Sequence, residues 1–119
     1  MSYIREEVTR FVEHIKALGF TVFLAKDGTY GFITDDKRER VLSFSMRDNS
    51  LGGNYGPPSK ESGTGWRMDT SPDSLRTAED VREALYKPAP NWAGKGWRHY
   101  TTVDMHLKMY GPSSRYEEQ

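Results

Sequence analysis

Residues 21–34 read TVFLAKDGTYGFIT, and this stretch decides the fold. Two runs within it, Thr21 to Lys26 and Thr29 to Thr34, are rich in the β-branched and aromatic residues that suit a pleated, half-buried surface. Between them stands Asp27-Gly28, a dipeptide fitted to a two-residue hairpin turn because both positions tolerate left-handed backbone. A hairpin is expected. A third strand fits Arg40 to Met46, where Leu42, Phe44 and Met46 alternate with Ser43 and Ser45, giving one buried face and one small polar face.

Upstream, Ile4, Val8, Phe11, Val12, Ile15 and Leu18 recur at helical spacing and lay one apolar stripe over about four turns. Ser2 is placed to cap this helix, and Gly19 stands where a left-handed C-terminal residue is expected. Downstream, residues 51–65 (LGGNYGPPSKESGTG) hold 5 Gly and 2 Pro in 15 positions and read as a long loop. A short fourth strand fits Trp66 to Asp69. Thr77-Ala78-Glu79-Asp80 reads as an N-cap followed by an acidic first turn, opening a short helix through Tyr86 that Pro88 and Pro90 stop. Thr102 can cap a last helix, Val103 to Tyr110, closed by Gly111-Pro112. The expected fold is α+β: an N-terminal helix packed on a three- to four-stranded antiparallel sheet, followed by two short helices. It forms a single domain over residues 1–112, with residues 113–119 as a flexible tail.

Composition narrows the functional classes. The 119 residues carry 17 basic and 17 acidic side chains, balanced 8 to 8 before residue 50 and 9 to 9 after it. Neither a DNA-mimicking acidic inhibitor nor a nonspecific DNA binder is built this way, since both need a dense field of one sign. Without Cys there are no disulfides, thiolate zinc sites or thiol nucleophiles. Leu, Ile, Val and Phe make up only 21 residues, but 3 Trp, 7 Tyr and 5 Phe supply the large apolar bodies of a folded domain. No apolar run approaches the roughly 20 residues that span a bilayer, and the N-terminus has no apolar secretory region. No membrane association and a cytoplasmic location are expected.

The motifs of catalysis are missing. The glycine-rich loop matches neither a phosphate-binding loop nor a dinucleotide fingerprint, and the three His show no metal-ligand spacing, so no cofactor or metal is expected. Carboxylate pairs at Glu6-Glu7, Asp35-Asp36 and Glu79-Asp80 have structural explanations in a helix face, a turn and a helix N-terminus. The stretch from Lys87 to Lys108 stands out: Lys87, Lys95, Arg98 and Lys108 face only Asp104 in sign, and Trp92, Trp97 and Tyr100 lie among them. Trp, Tyr and Arg dominate protein-binding hot spots, whereas a net excess of three charges neutralises few phosphates. The candidate partner-binding set is Tyr55, Trp66, Trp92, Lys95, Trp97, Arg98 and Tyr100, directed at a protein. Two rival readings stand beside it. In one, the 51–65 loop with His99 and Asp104 serves a nucleotide-binding or enzymatic domain; in the other, the aromatic and basic residues bind single-stranded nucleic acid.

At residues 29–34 (TYGFIT), 51–58 (LGGNYGPP), 62–68 (SGTGWRM) and 110–116 (YGPSSRY) the chain resembles a family of small uncharacterised proteins carried on plasmids and other mobile elements of proteobacteria. The resemblance implies no catalytic residues. It implies an accessory role of the anti-restriction or anti-CRISPR type, with host defence machinery as the partner. Charge neutrality departs from the acidic DNA mimics and leaves surface-to-surface blocking as the mechanism.

Overall fold

The computed structural model describes residues 2–56, 64–68, 70–87, 98–99, 103 and 116–119. The fold is α+β. Helix α1 (Ser2–Ala17) leads into β1 (Thr21–Ala25), β2 (Tyr30–Thr34), β3 (Leu42–Ser45), β4 (Ser50–Gly56) and β5 (Thr64–Arg67). A 3₁₀ turn (Pro72–Ser74), helix α2 (Ala78–Leu85), β6 (Arg98–His99) and β7 (Tyr116–Glu118) follow. The strands make one sheet in the order β5-β4-β3-β2-β1-β7, with β6 joined to β4 and every pairing antiparallel.

The end of α1 follows from Gly19. Its φ of +98° carries the left-handed turn, Gly19 N–H donates to the Lys16 carbonyl (2.9 Å) and Phe20 N–H to that of Ile15 (3.3 Å). This is a Schellman cap, and Phe20 and Ile15 meet in the same core as its hydrophobic seal. The helix turns Val8, Phe11, Val12 and Ile15 onto the sheet, where they bury Val22, Ile33, Leu42, Phe44 and Leu51. Phe11 and Phe44 meet with ring centroids 4.9 Å apart.

The hairpin forms with a longer turn than two residues. Four residues, Lys26 to Thr29, separate β1 from β2, because the Asp27 carboxylate accepts from both the N–H and the hydroxyl of Thr29 (2.7 Å each) and so builds its own turn. Gly28 supplies the positive φ, +78°. Across the pair Val22 lies opposite Ile33 and Phe23 opposite Phe32. Since neighbouring residues on a strand point to opposite faces, both faces of this hairpin are apolar. Val22 and Ile33 face α1, while Phe23 and Phe32 stack at 4.7 Å on the far side and bury against Val41 and Val103, with Tyr116 packed on them. A second, smaller core therefore lies behind the sheet, where the sequence had suggested a single buried face.

Three further differences concern residues that read as irregular. Residues 51–56 and 64–65 of the expected loop belong to β4 and β5, leaving 57–63 outside the described residues. Turn chemistry precedes β4: Asn49 takes a positive φ of 52°, and the Asp48 N–H donates to the Ser45 hydroxyl (3.1 Å). Pairing on both flanks then holds a glycine-rich strand in place despite its poor propensity. The tail expected at 113–119 is strand from Tyr116 to Glu118, paired with β1 from Phe23 to Ala25, and Gln119 N–H donates to the Val22 carbonyl (2.8 Å). Edge pairing, ring packing by Tyr116 and an ion pair at Glu118 order it against a propensity that favours fraying. The sheet is thus wider than the three or four strands expected. Of the two short helices, α2 forms as expected; the second, at 103–110, lies outside the described residues except for helical Val103.

Gly31 is buried where β2 approaches β1 closely. A Cβ at this position would stand 2.0 Å from the Phe23 carbonyl oxygen, a backbone atom with no freedom to yield. Gly31→Ala should cost about 3 kcal/mol or more by prying the hairpin open, whereas an equivalent change at a sterically open strand position costs a fraction of that. Urea denaturation of the two proteins side by side measures the difference.

Candidate functional site

The backbone brings part of the sequence-derived set together at one corner of the sheet. Tyr55 in β4 is paired on both flanks, with Thr64 of β5 and His99 of β6, so β6 lies on the side of β4 that β3 occupies further along. Trp66 stands opposite Gly53, and Arg98 opposite Gly56. Tyr55, Trp66 and Arg98, separated by up to 43 positions in sequence, thus lie at one end of β4: Trp66 two rungs from Tyr55, at a position of the same face, and Arg98 one rung beyond Tyr55, at a position of the other face. Trp92, Lys95, Trp97 and Tyr100 lie outside the described residues, as does Asp104 of the rival acid–base reading. The phosphate-cradling reading of the glycine-rich loop loses eight of its fifteen residues to β4 and β5.

A second feature was not visible in the sequence. Between α2 and the segment that precedes it lies a cleft of about 550 Å³, within the size range of small-molecule sites. Met68, Leu75 and Ala84 give it apolar walls, and Asp80, Glu83 and Lys87 bring charge to it. Its shape depends on how α2 is held. Asp80 N–H donates to the Thr77 hydroxyl (3.2 Å), and the Asp80 carboxylate accepts in return from the Thr77 N–H (3.0 Å) and the Arg76 N–H (3.1 Å). This capping box satisfies N–H groups that the first helical turn leaves unpaired. The backbone bond from Thr77 is the main reason that the Asp80 carboxyl titrates below its ordinary range. On the other side, the His14 ring of α1 bonds the Leu75 carbonyl through Nε2 at 2.8 Å. A carbonyl can only accept, so Nε2 carries the proton and clips the 3₁₀ turn to α1.

At the far end of α2, the Tyr86 hydroxyl donates to the Asp35 carboxylate, and the Arg40 guanidinium lies 5.8 Å from the centre of its ring. Burial first, and the Asp35 bond second, push the Tyr86 phenol up to about 12. It stays protonated throughout the physiological range and acts as a donor, not as a base. Asp35 belongs to the β2–β3 connection, whose closure rests on the buried Thr34 hydroxyl donating to the Arg40 carbonyl at 2.8 Å. Two of the polar groups that line the cleft, Asp80 and Tyr86, are therefore already engaged with neighbouring residues. Among the described residues no group of three or more His, Asp or Glu side chains is arranged to hold a metal ion, and no helix is long and apolar enough to cross a membrane.

Comparison with protein-family models, with curated proteins and with solved structures yields no significant match. The functional reading accordingly rests on the residues themselves.

Two outcomes follow from the capping box. Thr77→Ala should lower stability by about 1 kcal/mol. Because the Asp80 carboxyl is lowered in the folded state, the stabilisation from its charged form is present above the unfolded carboxylate range and is lost as pH falls through the folded value. Asp80→Asn should therefore melt below the parent at neutral pH, and the two melting curves should converge in acid. A gap that persists unchanged at low pH would show that the charge is not the source.

Proposed function

We propose that this chain is a small non-enzymatic interaction protein that binds a macromolecular host partner, a protein, through the aromatic and basic residues gathered around β4, β5 and β6. One observation supports this reading above the others: strand pairing puts Tyr55 and Trp66, which the sequence separates, two rungs apart at positions of one face, with Arg98 one rung further along the same end of β4. Tyr, Trp and Arg are the residue types that dominate protein-binding hot spots. The even distribution of charge favours a protein surface over a phosphate backbone. The sequence resemblance extends the proposal to a role on a mobile genetic element, where the partner belongs to a restriction or CRISPR system and is blocked by surface contact.

Trp97→Ala combined with Arg98→Ala tests the site. The double variant should keep the circular-dichroism spectrum of the parent yet lose at least tenfold in partner capture, and with it any protection of incoming plasmid DNA in a restricting host. Unchanged capture would remove the site from the proposal. Binding that collapses between 50 and 200 mM salt would instead favour single-stranded nucleic acid as the partner.

A further inference from the structure

The opposite edge of the sheet carries a different arrangement. The outer edge of β1 is filled by residues 116–119 of the same chain, and three separate features of the body receive them. Backbone pairing sets the register, with Ala25 opposite Tyr116, Leu24 opposite Glu117 and Phe23 opposite Glu118. An aromatic corner receives the Tyr116 ring, whose centroid lies 5.1 Å from that of Phe32 and 6.2 Å from that of Tyr30, both edge-on. Two residues on, the Glu118 carboxylate meets the Arg38 guanidinium at 2.8 Å.

The receiving groups come from β1, β2 and the β2–β3 connection, not from the segment they hold. Arg38 is presented on a fixed stem. It sits in the left-handed region (φ 56°), its N–H donates to the Asp35 carbonyl (3.3 Å), and its carbonyl accepts from Val103 N–H (3.2 Å). Its guanidinium also lies 5.6 Å from the centre of the Phe23 ring. Together these groups read a short pattern: extended backbone, an aromatic side chain, and an acid two positions later on the same face.

The resident strand is weakly held by comparison with the hairpin beneath it. It is three residues long, Glu117, Glu118 and Gln119 are exposed, and its ion pair joins two half-exposed side chains (49% and 52%), a kind of pair that adds little to stability. Strand edges with few buried contacts open locally well before the molecule unfolds.

We propose that the outer edge of β1 is a strand-accepting site for an extended peptide of a partner protein carrying an aromatic residue followed two positions later by a carboxylate, and that residues 116–119 fill it in cis as an exchangeable plug. Binding would add the partner's strand to the sheet, with main-chain hydrogen bonds giving affinity and the Phe32–Tyr30 corner and Arg38 giving specificity. This surface lies at the other side of the sheet from the β4–β5–β6 corner, so either proposal can fail without the other.

The test uses the full chain with Tyr116→Ala and Glu118→Ala, ¹⁵N-labelled and titrated with a peptide of residues 113–119 (SSRYEEQ). Saturable shifts are expected at the amides of residues 22–25, Tyr30 and Arg38. The parent chain should bind the same peptide at least tenfold more weakly, because the tethered strand competes at millimolar effective concentration. A peptide with Glu118→Lys should also bind at least tenfold more weakly. Absence of shifts in the folded variant, or equal affinity for both peptides, would overturn the proposal. So would a concentration-dependent dimer that replaces peptide binding, since the occupant would then be a second copy. Hydrogen exchange on the parent chain serves as the independent check should the variant fail to fold: β1 amides facing β7 should exchange at least tenfold faster than those facing β2, and equal protection would refute the exchangeable plug.

Discussion

The β1–β2 pairing is the constraint on which the other elements depend. Val22 and Ile33 look toward α1 while Phe23 and Phe32 look away, so one hairpin supplies the floor of two cores. A slip of one residue in its register would send each set to the wrong face. Gly31 guards against that slip sterically, since only a residue without Cβ fits against the Phe23 carbonyl. The turn at Asp27 guards against it chemically by bonding Thr29 twice. With the register held, α1 and α2 settle on one side, and Val41, Val103 and Tyr116 on the other.

How much of this was legible in the sequence depends on how local the cause is. The amphipathic stripe of α1, the glycine at its end and the Thr77/Asp80 cap of α2 are written within a few neighbouring residues, and each forms as its pattern indicates. The hairpin was legible too, although the Asp27 side chain lengthens its turn beyond what the Asp-Gly pair alone suggests. The strands β4 and β7 were not, because nothing in Gly52-Gly53 or in Glu117-Glu118 favours an extended chain; partners far away in sequence hold them. The second core was hidden for the same reason. Consecutive apolar residues in β1 and β2 signal burial on both faces, but what covers the far face is Val103 and Tyr116, contributed by segments that read as peripheral.

The candidate site was legible in chemistry and not in geometry. Aromatic and basic residues near position 55 and between 87 and 108 could be picked out by type, whereas the placement of Tyr55, Trp66 and Arg98 at one end of β4 required the register of three strands. The cleft beside α2 gave no sequence signal, since its walls come from Met68, Leu75 and Ala84, residues that any core would use. His14 had no visible role until its bond to the Leu75 carbonyl showed it tying the first helix to the segment leading into the second.

The placement of β7 has a kinetic consequence. The partners Ala25 and Tyr116 are more than ninety residues apart in sequence, while β1 and β2 are joined by a turn of four. Hairpin closure is a local, fast event, and the long-range closure that seats β7 is a slow one. During the interval the nascent sheet carries a bare apolar strand edge, the geometry that templates intermolecular pairing. Conditions that lengthen this interval, such as high concentration of refolding chain or loss of the Tyr116 ring, should shift the yield from monomer toward aggregate even where the final stability is barely altered.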